Sequence, residues 1–181
     1  MLSFGKKMQR RGRLLPALVV LLFLGLAVFL WMAGRELLLS AVPKVRLPGI
    51  HGTVRSLQQY RGRVLLVSFW ATTCPGCVEE LPEFHHLEQI YAGRPFQMVG
   101  ISMQGDNPRA IASLARVYGL HYPLLMDVGG YAAHAFGDVN LTPTNFLVDA
   151  KGRIRYRQVG SLPLADWEKR INALLPVAGK H

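Results

Sequence analysis

The chain of 181 residues contains two cysteines, and they stand three residues apart in the segment FWATTCPGCVEELPEF, residues 69–84. A structural zinc ion needs about four ligands, and none of the six histidines forms a second pair at matching spacing, so we predict no metal. A purely structural disulfide across so short a loop would restrain little unfolded-chain entropy. Another alternative is that the two cysteines stay reduced and only pack in the core. The spacing of Cys74 and Cys77 favours reversible dithiol chemistry, in which one thiolate attacks a disulfide and the second resolves the mixed intermediate.

The residues around the cysteines predict a strand that leads into a helix. The apolar run RVLLVSFW, residues 63–70, is typical of a buried strand. Cys74 follows a short loop where a helix would begin, and Pro75 suits the first helical position because its missing N–H needs no partner there. Unpaired N–H groups and the helix dipole stabilise a thiolate, so we expect the pKa of Cys74 to fall below about 8.5. We expect Cys77, one turn further on, to be more buried and to act as the resolving thiol.

The rest of the chain alternates between strand and helix patterns. Strands are predicted over residues 95–102, 122–127, 144–149 and 153–159, the last two as a hairpin. Helices are predicted over residues 74–91 with an interruption at the proline in position 82, and over 108–118, 130–136 and 164–174. Asn107 and Gly119 are typical residues for the two ends of the second of these helices. This order of elements predicts an α/β domain of three layers.

The run FWATTCPGCVEELP, followed later in the chain by TPTNFLVDAKGRI, resembles the membrane-anchored thioredoxin-like proteins of the TlpA/ResA type, which include reductases of cytochrome c maturation. The resemblance covers residues 45–176. It implies a thioredoxin-like fold, with a central mixed sheet flanked by helices and an inserted strand-helix unit. It also implies a protein disulfide reductase that works through a redox-active Cys-Pro-Gly-Cys centre without a cofactor.

The same resemblance implies roles for residues near the cysteines. Thioredoxin-like folds place a cis-proline beside the dithiol, here Pro143, and the residue before it offers backbone hydrogen bonds to an extended substrate. The residues implied in substrate contact are Trp70, Thr73, Pro75, Gly76, Thr142 and Pro143. Many thioredoxins carry a buried proton-accepting Asp where this chain has Ser68, so Glu80 becomes the candidate for proton transfer. The alternative for Glu80 is a solvent-facing acid that complements the helix dipole.

The dipeptide between the cysteines bears on the direction of electron flow. Strong oxidants of this fold often carry a His just before the second cysteine, where it stabilises a thiolate, and Gly76 cannot do so. We therefore expect a reductant of disulfide-bearing exported client proteins, supplied with electrons by a transmembrane donor of the thiol-transfer type. The alternatives are an oxidant or isomerase of exported protein disulfides, and a non-enzymatic, membrane-tethered binding or chaperone module.

The N-terminal region predicts a membrane anchor. Residues 14–33 are twenty uncharged residues, which as a helix would span about 30 Å, the thickness of a bilayer core. Five basic residues and no acid precede them, so the positive-inside rule places the N-terminus in the cytoplasm. A cleaved signal peptide is the alternative, although its apolar region is usually shorter. The predicted organisation is a basic arm (1–13), a transmembrane anchor (14–33), a linker (34–43) and a thioredoxin-like domain (44–181).

The predicted location is the bacterial inner membrane, as a single-pass protein with its catalytic domain in the periplasm or an equivalent extracytoplasmic space. The net charge of +10 does not indicate nucleic-acid binding. Five of the positive charges belong to the N-terminal arm, and from Lys44 onward 15 basic and 10 acidic residues leave a balance of +5. No nucleic-acid motif is present in the sequence, so we predict no such partner.

Overall fold

The computed structural model describes residues 19–30 and 41–176. The chain divides into two compact units, Met1–Ser40 and Ala41–His181. In the first unit the described residues, 19–30, form helix α1, and every one of them is exposed. The second unit contains the cysteines and all the strands described below.

The predicted membrane anchor is not supported by the described part of the first unit. Among the helices of residues 19–30 and 41–176, none combines the length and the apolar character that a membrane span requires. The predicted localisation, a single-pass anchor in the bacterial inner membrane, is therefore contradicted. The predicted basic arm (1–13) and residues 34–40 of the predicted linker lie outside the described residues.

The second unit begins at Ala41, three residues before the predicted start of the domain. The side chain of Val42 is buried in the core, and its N–H donates to the carbonyl of Gly152 at 2.8 Å. Two short antiparallel strands follow, β1 (Arg46–Pro48) and β2 (Val54–Ser56). A 3₁₀ turn over Leu57–Tyr60 then leads into the main sheet.

The main sheet has five strands in the order β5-β4-β3-β6-β7. Their bounds are β3 Val64–Trp70, β4 Phe96–Ser102, β5 Leu124–Met126, β6 Thr144–Val148 and β7 Ile154–Val159. Strands β3, β4 and β5 are parallel, whereas β6 and β7 run antiparallel to their neighbours. The helices are α2 Pro75–Glu79, α3 Leu81–Ile90, α4 Pro108–Tyr118, α5 Tyr131–Ala135 and α6 Leu164–Leu174. This is the predicted thioredoxin-like α/β fold with a mixed sheet, and β5 with α5 forms a strand-helix unit between α4 and β6.

Strand β3 lies at the centre of the sheet, and all seven of its residues are buried. Side chains alternate between the two faces of a strand, so β3 contributes to two separate cores. Leu66 belongs to the core that includes residues of α3, α4 and α6, whereas Val67 belongs to the core that includes residues of α5 and β1. The result is three layers, with the strand that precedes the cysteines held from both sides.

The long helix predicted over residues 74–91 is divided at Glu80. Helix α2 ends at Glu79 and α3 begins at Leu81, because Pro82 has no N–H to offer the carbonyl four residues earlier. Glu80 itself keeps a helical backbone, with φ −78° and ψ −17°, so its position relative to Cys77 is that of a helix. The interruption therefore falls beside the active cysteines without separating them from Glu80.

We expect replacement of Asn107 with alanine to lower the free energy of unfolding by about 1 kcal/mol, because this residue caps α4. Its side-chain oxygen accepts the N–H of Arg109 at 2.9 Å, and alanine offers no acceptor. Urea unfolding of the disulfide form measures the change. Asn140→Ala, at an exposed loop position, is the matched control and should change stability by less than about 0.5 kcal/mol. Equal losses in the two variants would contradict a contribution from the cap.

Candidate active site

The cysteine pair lies just beyond the carboxyl ends of the parallel strands β3 and β4. Trp70 and Ser102 close these two strands in register, and a short loop leads from Trp70 to Cys74. Cys74 has an extended backbone and caps α2, with Pro75 in the first helical position, as predicted. Cys74 and Cys77 are joined by a disulfide, with their Cα atoms 5.3 Å apart. The structure therefore represents the oxidised form.

The two cysteines differ in exposure. Cys74 is half-buried, whereas Cys77 is 2% exposed and belongs to the core. The backbone N–H of Cys77 donates to Cys74 Sγ at 3.3 Å, so a donor at the start of the helix points at the more accessible sulfur. A client disulfide can therefore approach Cys74 from solvent, and Cys77 is positioned to react only with Cys74.

The Thr142–Pro143 segment packs against the disulfide. The peptide bond between these residues is cis, as the resemblance implied. The carbonyl oxygen of Thr142 lies 3.5 Å from Cys74 Sγ, a contact that becomes a hydrogen bond only when the sulfur carries a proton. A Cβ on Gly76 would lie 4.0 Å from Pro143 Cδ, so a side chain there would fill the space between the helix start and the proline. The structure thus brings Thr142, Pro143 and Gly76 together around Cys74.

The loop before Cys74 is held by hydrogen bonds to Asp106, a residue that the sequence analysis did not select. The Asp106 carboxylate accepts the backbone N–H of Thr72 at 2.9 Å and the Thr72 hydroxyl at 2.5 Å. It also accepts the N–H of Asn107 at 2.9 Å, which links the loop to the start of α4. These hydrogen bonds fix the backbone that presents Cys74. The Asp-Asn-Pro run indicates a helix start, but nothing local indicates that its Asp reaches the cysteine loop.

The remaining residues predicted to contact substrate divide between surface and interior. Thr73 and Pro75 are exposed on either side of Cys74. Trp70 is 3% exposed, and its indole nitrogen lies 3.2 Å from where a Cβ on Gly100 would be. Trp70 therefore lies in the buried core cluster that also contains Cys77, while the exposed residues of the set line the surface.

Glu80 is buried, so the solvent-facing alternative for this residue is wrong. It is 3% exposed, and one carboxylate oxygen accepts the N–H of Leu162 at 3.3 Å. The other oxygen has no hydrogen-bond partner in the part of the chain that the structure describes. Burial raises the pKa of Glu80 to about 7, against a partial lowering by the Leu162 N–H and by neighbouring Asn145 and Ser161. A carboxyl group with this pKa exchanges protons near neutral pH.

Asn145 and Ser68 extend this buried polar region across the sheet. They are directly paired residues of β6 and β3, and both are buried. Neither polar end of the Asn145 side chain has a hydrogen-bond partner among the described residues, which is costly for a buried amide. The sequence analysis did not select Asn145 as a site residue. The signal that could have indicated it is a single amide in the otherwise apolar stretch that follows Thr144. It lies beside Glu80 and lowers the pKa of that carboxyl.

Comparisons with known proteins agree with this geometry. The profile of the Redoxin family matches residues 39–175. The chain is 30% identical to the thiol:disulfide interchange protein DsbE of Escherichia coli strain K12, over 92% of this chain and 95% of that protein. It is 26% identical to the thiol-disulfide oxidoreductase ResA of Geobacillus kaustophilus, over 76% and 78% respectively. A thiol:disulfide interchange protein of the thioredoxin family from Chlorobium tepidum has a similar structure, with a TM-score of 0.70 and 26% identity over 76% and 97% of the two chains.

Proposed function

Because the chain belongs to the Redoxin family and is a thiol-disulfide oxidoreductase of the ResA/DsbE type, we propose that it reduces disulfides of client proteins, with apocytochromes c as candidate clients. The candidate electron source is a transmembrane thiol-transfer protein that returns the Cys74–Cys77 disulfide to the dithiol. Reduction of one client disulfide consumes two electrons from the dithiol, so each turnover requires one such re-reduction.

The observation that supports a reductant is the set of side chains next to the two cysteines. A strongly oxidising pair is one whose reduced form is stabilised, commonly by groups that favour a thiolate. Pro75 and Gly76, between the cysteines, carry no side chain that could do so. Glu80 follows Cys77 by three residues on the same helical face, and its carboxylate would disfavour a neighbouring thiolate. Both features leave the reduced form less stabilised and support a reductant.

The first chemical step uses the accessible cysteine. The Cys74 thiolate attacks one sulfur of the client disulfide, a mixed disulfide forms, and the second client sulfur leaves as a thiolate. The Cys77 N–H, which points at Cys74 Sγ, supports the anionic sulfur before the attack. The backbone of Thr142, whose carbonyl oxygen lies next to that sulfur, is the proposed place for a client strand, held by backbone hydrogen bonds.

The second step uses the buried cysteine and requires a proton acceptor. The Cys77 thiol gives its proton to the Glu80 carboxylate, and the resulting thiolate attacks Cys74 Sγ. The mixed disulfide breaks, the client leaves as a thiolate that takes a proton from solvent, and the Cys74–Cys77 disulfide forms. The pKa of Glu80, raised by burial to about 7, supports this role because the group can both accept and release a proton near neutral pH.

The test of direction is the redox state of the pair in the cells that make the protein. Acid quenching followed by alkylation with a bulky maleimide distinguishes dithiol from disulfide by a gel shift. We expect the dithiol to exceed the disulfide by roughly tenfold, which for a two-electron couple corresponds to about 30 mV between the pair and its surroundings. The Cys74→Ser/Cys77→Ser double variant marks the position of unlabelled protein.

A pair that is mostly oxidised would overturn the reductive direction and favour an oxidant or isomerase. That outcome would leave the dithiol chemistry itself intact, because an oxidant uses the same two sulfurs in the opposite sense. Full function in the double variant would instead support the non-enzymatic binding module.

A further inference from the structure

A second cluster of chemically capable side chains lies between α3 and the connection from α4 to β5. His85 and Glu88 are three residues apart on α3 and therefore share one helical face. His121 faces them from the connection after Gly119. Each of the three offers a ligand atom, and these atoms all lie within 4.8 Å of one another. The cluster shares no residue with the dithiol site.

We propose that His85, Glu88 and His121 bind one divalent transition-metal ion of the Zn²⁺ class, in contrast to the sequence-based prediction of no metal. Two imidazole nitrogens and one carboxylate oxygen form a donor set that suits zinc and neighbouring first-row ions, whereas Mg²⁺ and Ca²⁺ favour oxygen ligands throughout. Three protein ligands leave one tetrahedral position for water. The proposed ion would link α3 to the α4–β5 connection, two segments that are distant in the sequence.

The backbone already holds two of the ligands close together. The Glu88 carboxylate accepts the backbone N–H of His121 at 3.1 Å, and the same oxygen lies 3.7 Å from His121 Nδ1. Ligand atoms around a tetrahedral zinc are about 3.4 Å apart, given bonds of about 2.1 Å. The Glu88–His121 distance is therefore close to that of a bound site. The His121 side chain is 78% exposed, so a change of its rotamer can adjust its distances to the other two ligand atoms, which are at most 4.8 Å.

His85 has a ring nitrogen to offer. Its Nε2 lies 2.9 Å from the side-chain amide nitrogen of Gln89, and turning that amide by 180° makes its oxygen the acceptor of an Nε2–H. Its Nδ1 then carries a lone pair, and this buried atom has no hydrogen-bond partner within residues 19–30 and 41–176. We assign this Nδ1 as the ligand atom of His85, because a metal bond would satisfy it while Gln89 orients the ring as a typical partner of a ligating histidine.

Gly119 allows the two segments to approach. Its φ of +64° is left-handed, as is usual for the residue that ends a helix. A Cβ at this position would lie 3.3 Å from Cε1 of the His85 ring, closer than ordinary contact. The glycine therefore serves both the end of α4 and the close approach of the connection that carries His121.

The test uses the full chain, purified without a polyhistidine tag and kept in the disulfide form so that Cys74 and Cys77 cannot bind metal as thiolates. Calorimetric titration with ZnCl₂ should show saturable binding of one Zn²⁺ per chain. The midpoint temperature of thermal unfolding should rise when Zn²⁺ is added, because an ion that binds only the folded state stabilises it. No saturable binding in the wild-type chain would overturn the proposal.

Variants assign the binding to the cluster. Glu88→Gln keeps an acceptor for the His121 N–H but removes the charge, and His121→Ala removes an exposed ligand. Each should weaken Zn²⁺ binding at least about tenfold and abolish the zinc-dependent thermal shift. His134→Ala is the matched control, because this exposed histidine is paired with Asp138 at 2.6 Å and lies outside the cluster. Unchanged affinity in His121→Ala, or an equal loss in the control, would show that the cluster does not bind the ion.

Discussion

Replacement of Cys77 with serine is expected to convert the protein into a trap that stays covalently joined to its clients. Cys74 is half-buried at the start of α2 and can still attack a client disulfide. Serine cannot supply the second thiolate, so the mixed disulfide persists instead of being resolved. Catalysed disulfide reduction should fall to background in this variant, because each molecule reacts once and stops.

Cys74→Ser should behave differently although it also abolishes turnover. The remaining sulfur, at Cys77, is 2% exposed and lies within the core cluster that includes Leu81 and Phe84. A client disulfide cannot reach it without local unfolding, so this variant should trap no partners. The measurement is a non-reducing gel of each variant, taken from alkylated cells and repeated with reductant.

High-molecular-weight bands in Cys77→Ser that disappear on reduction, and their absence in Cys74→Ser, would support the assigned roles. Equal trapping by the two variants would show that the roles of the two cysteines are wrong. Absence of trapping in both, together with unchanged function, would argue for a binding module. The result does not depend on the direction of electron flow, since a mixed disulfide forms in either direction. Partners recovered from the trap would identify the clients.

Local sequence signals were sufficient for the elements that carry the dithiol. The apolar stretch that became β3 is central and fully buried, and such strands have continuous apolar runs. The positions of Cys74 and Pro75 followed from helix-start chemistry, which depends only on adjacent residues. Asn107 and Gly119 mark the ends of α4 for the same reason. Each of these predictions rests on interactions within a few residues of the chain.

Features that depend on distant contacts were not accessible in this way. The burial of Glu80 depends on the segment at Leu162, and the anchoring of Thr72 depends on Asp106. The Asn145 amide, which has no hydrogen-bond partner among the described residues, faces this region only because β3 and β6 pair in a particular register. Neither hydropathy nor spacing specifies which distant segments meet.

The buried carboxyl of Glu80 should also make stability depend on pH, and this is the second large effect that we expect. Its ordinary pKa is 4.5, and burial raises it to about 7 in the folded state. Between these values the unfolded carboxyl is ionised while the folded one keeps its proton, so the folded state binds more protons. The free energy of unfolding therefore falls as the pH rises through this window, by about 3 kcal/mol in total.

Glu80→Gln removes this dependence, because an amide does not titrate and can still accept the N–H of Leu162. The free energy of unfolding is measured for both proteins by urea unfolding of the disulfide form. The value for the variant minus that for the wild type should be about 3 kcal/mol larger at pH 8 than at pH 4. Glu79→Gln, one residue earlier and exposed, is the matched control and should follow the wild-type curve. Parallel curves for wild type and Glu80→Gln would contradict a raised pKa in the folded state.

The same substitution should slow catalysis while it stabilises the fold, and the combination is informative. Glutamine cannot accept the Cys77 proton, so resolution of the mixed disulfide should depend on hydroxide and rise with pH where the wild type levels off above about 7. If glutamine at position 80 acted only by improving the packing, the variant would keep the wild-type dependence of catalysis on pH. If Glu80 lowers the free energy of unfolding above neutral pH and its replacement slows only the attack by Cys77, proton transfer explains why a carboxyl group is buried at this position.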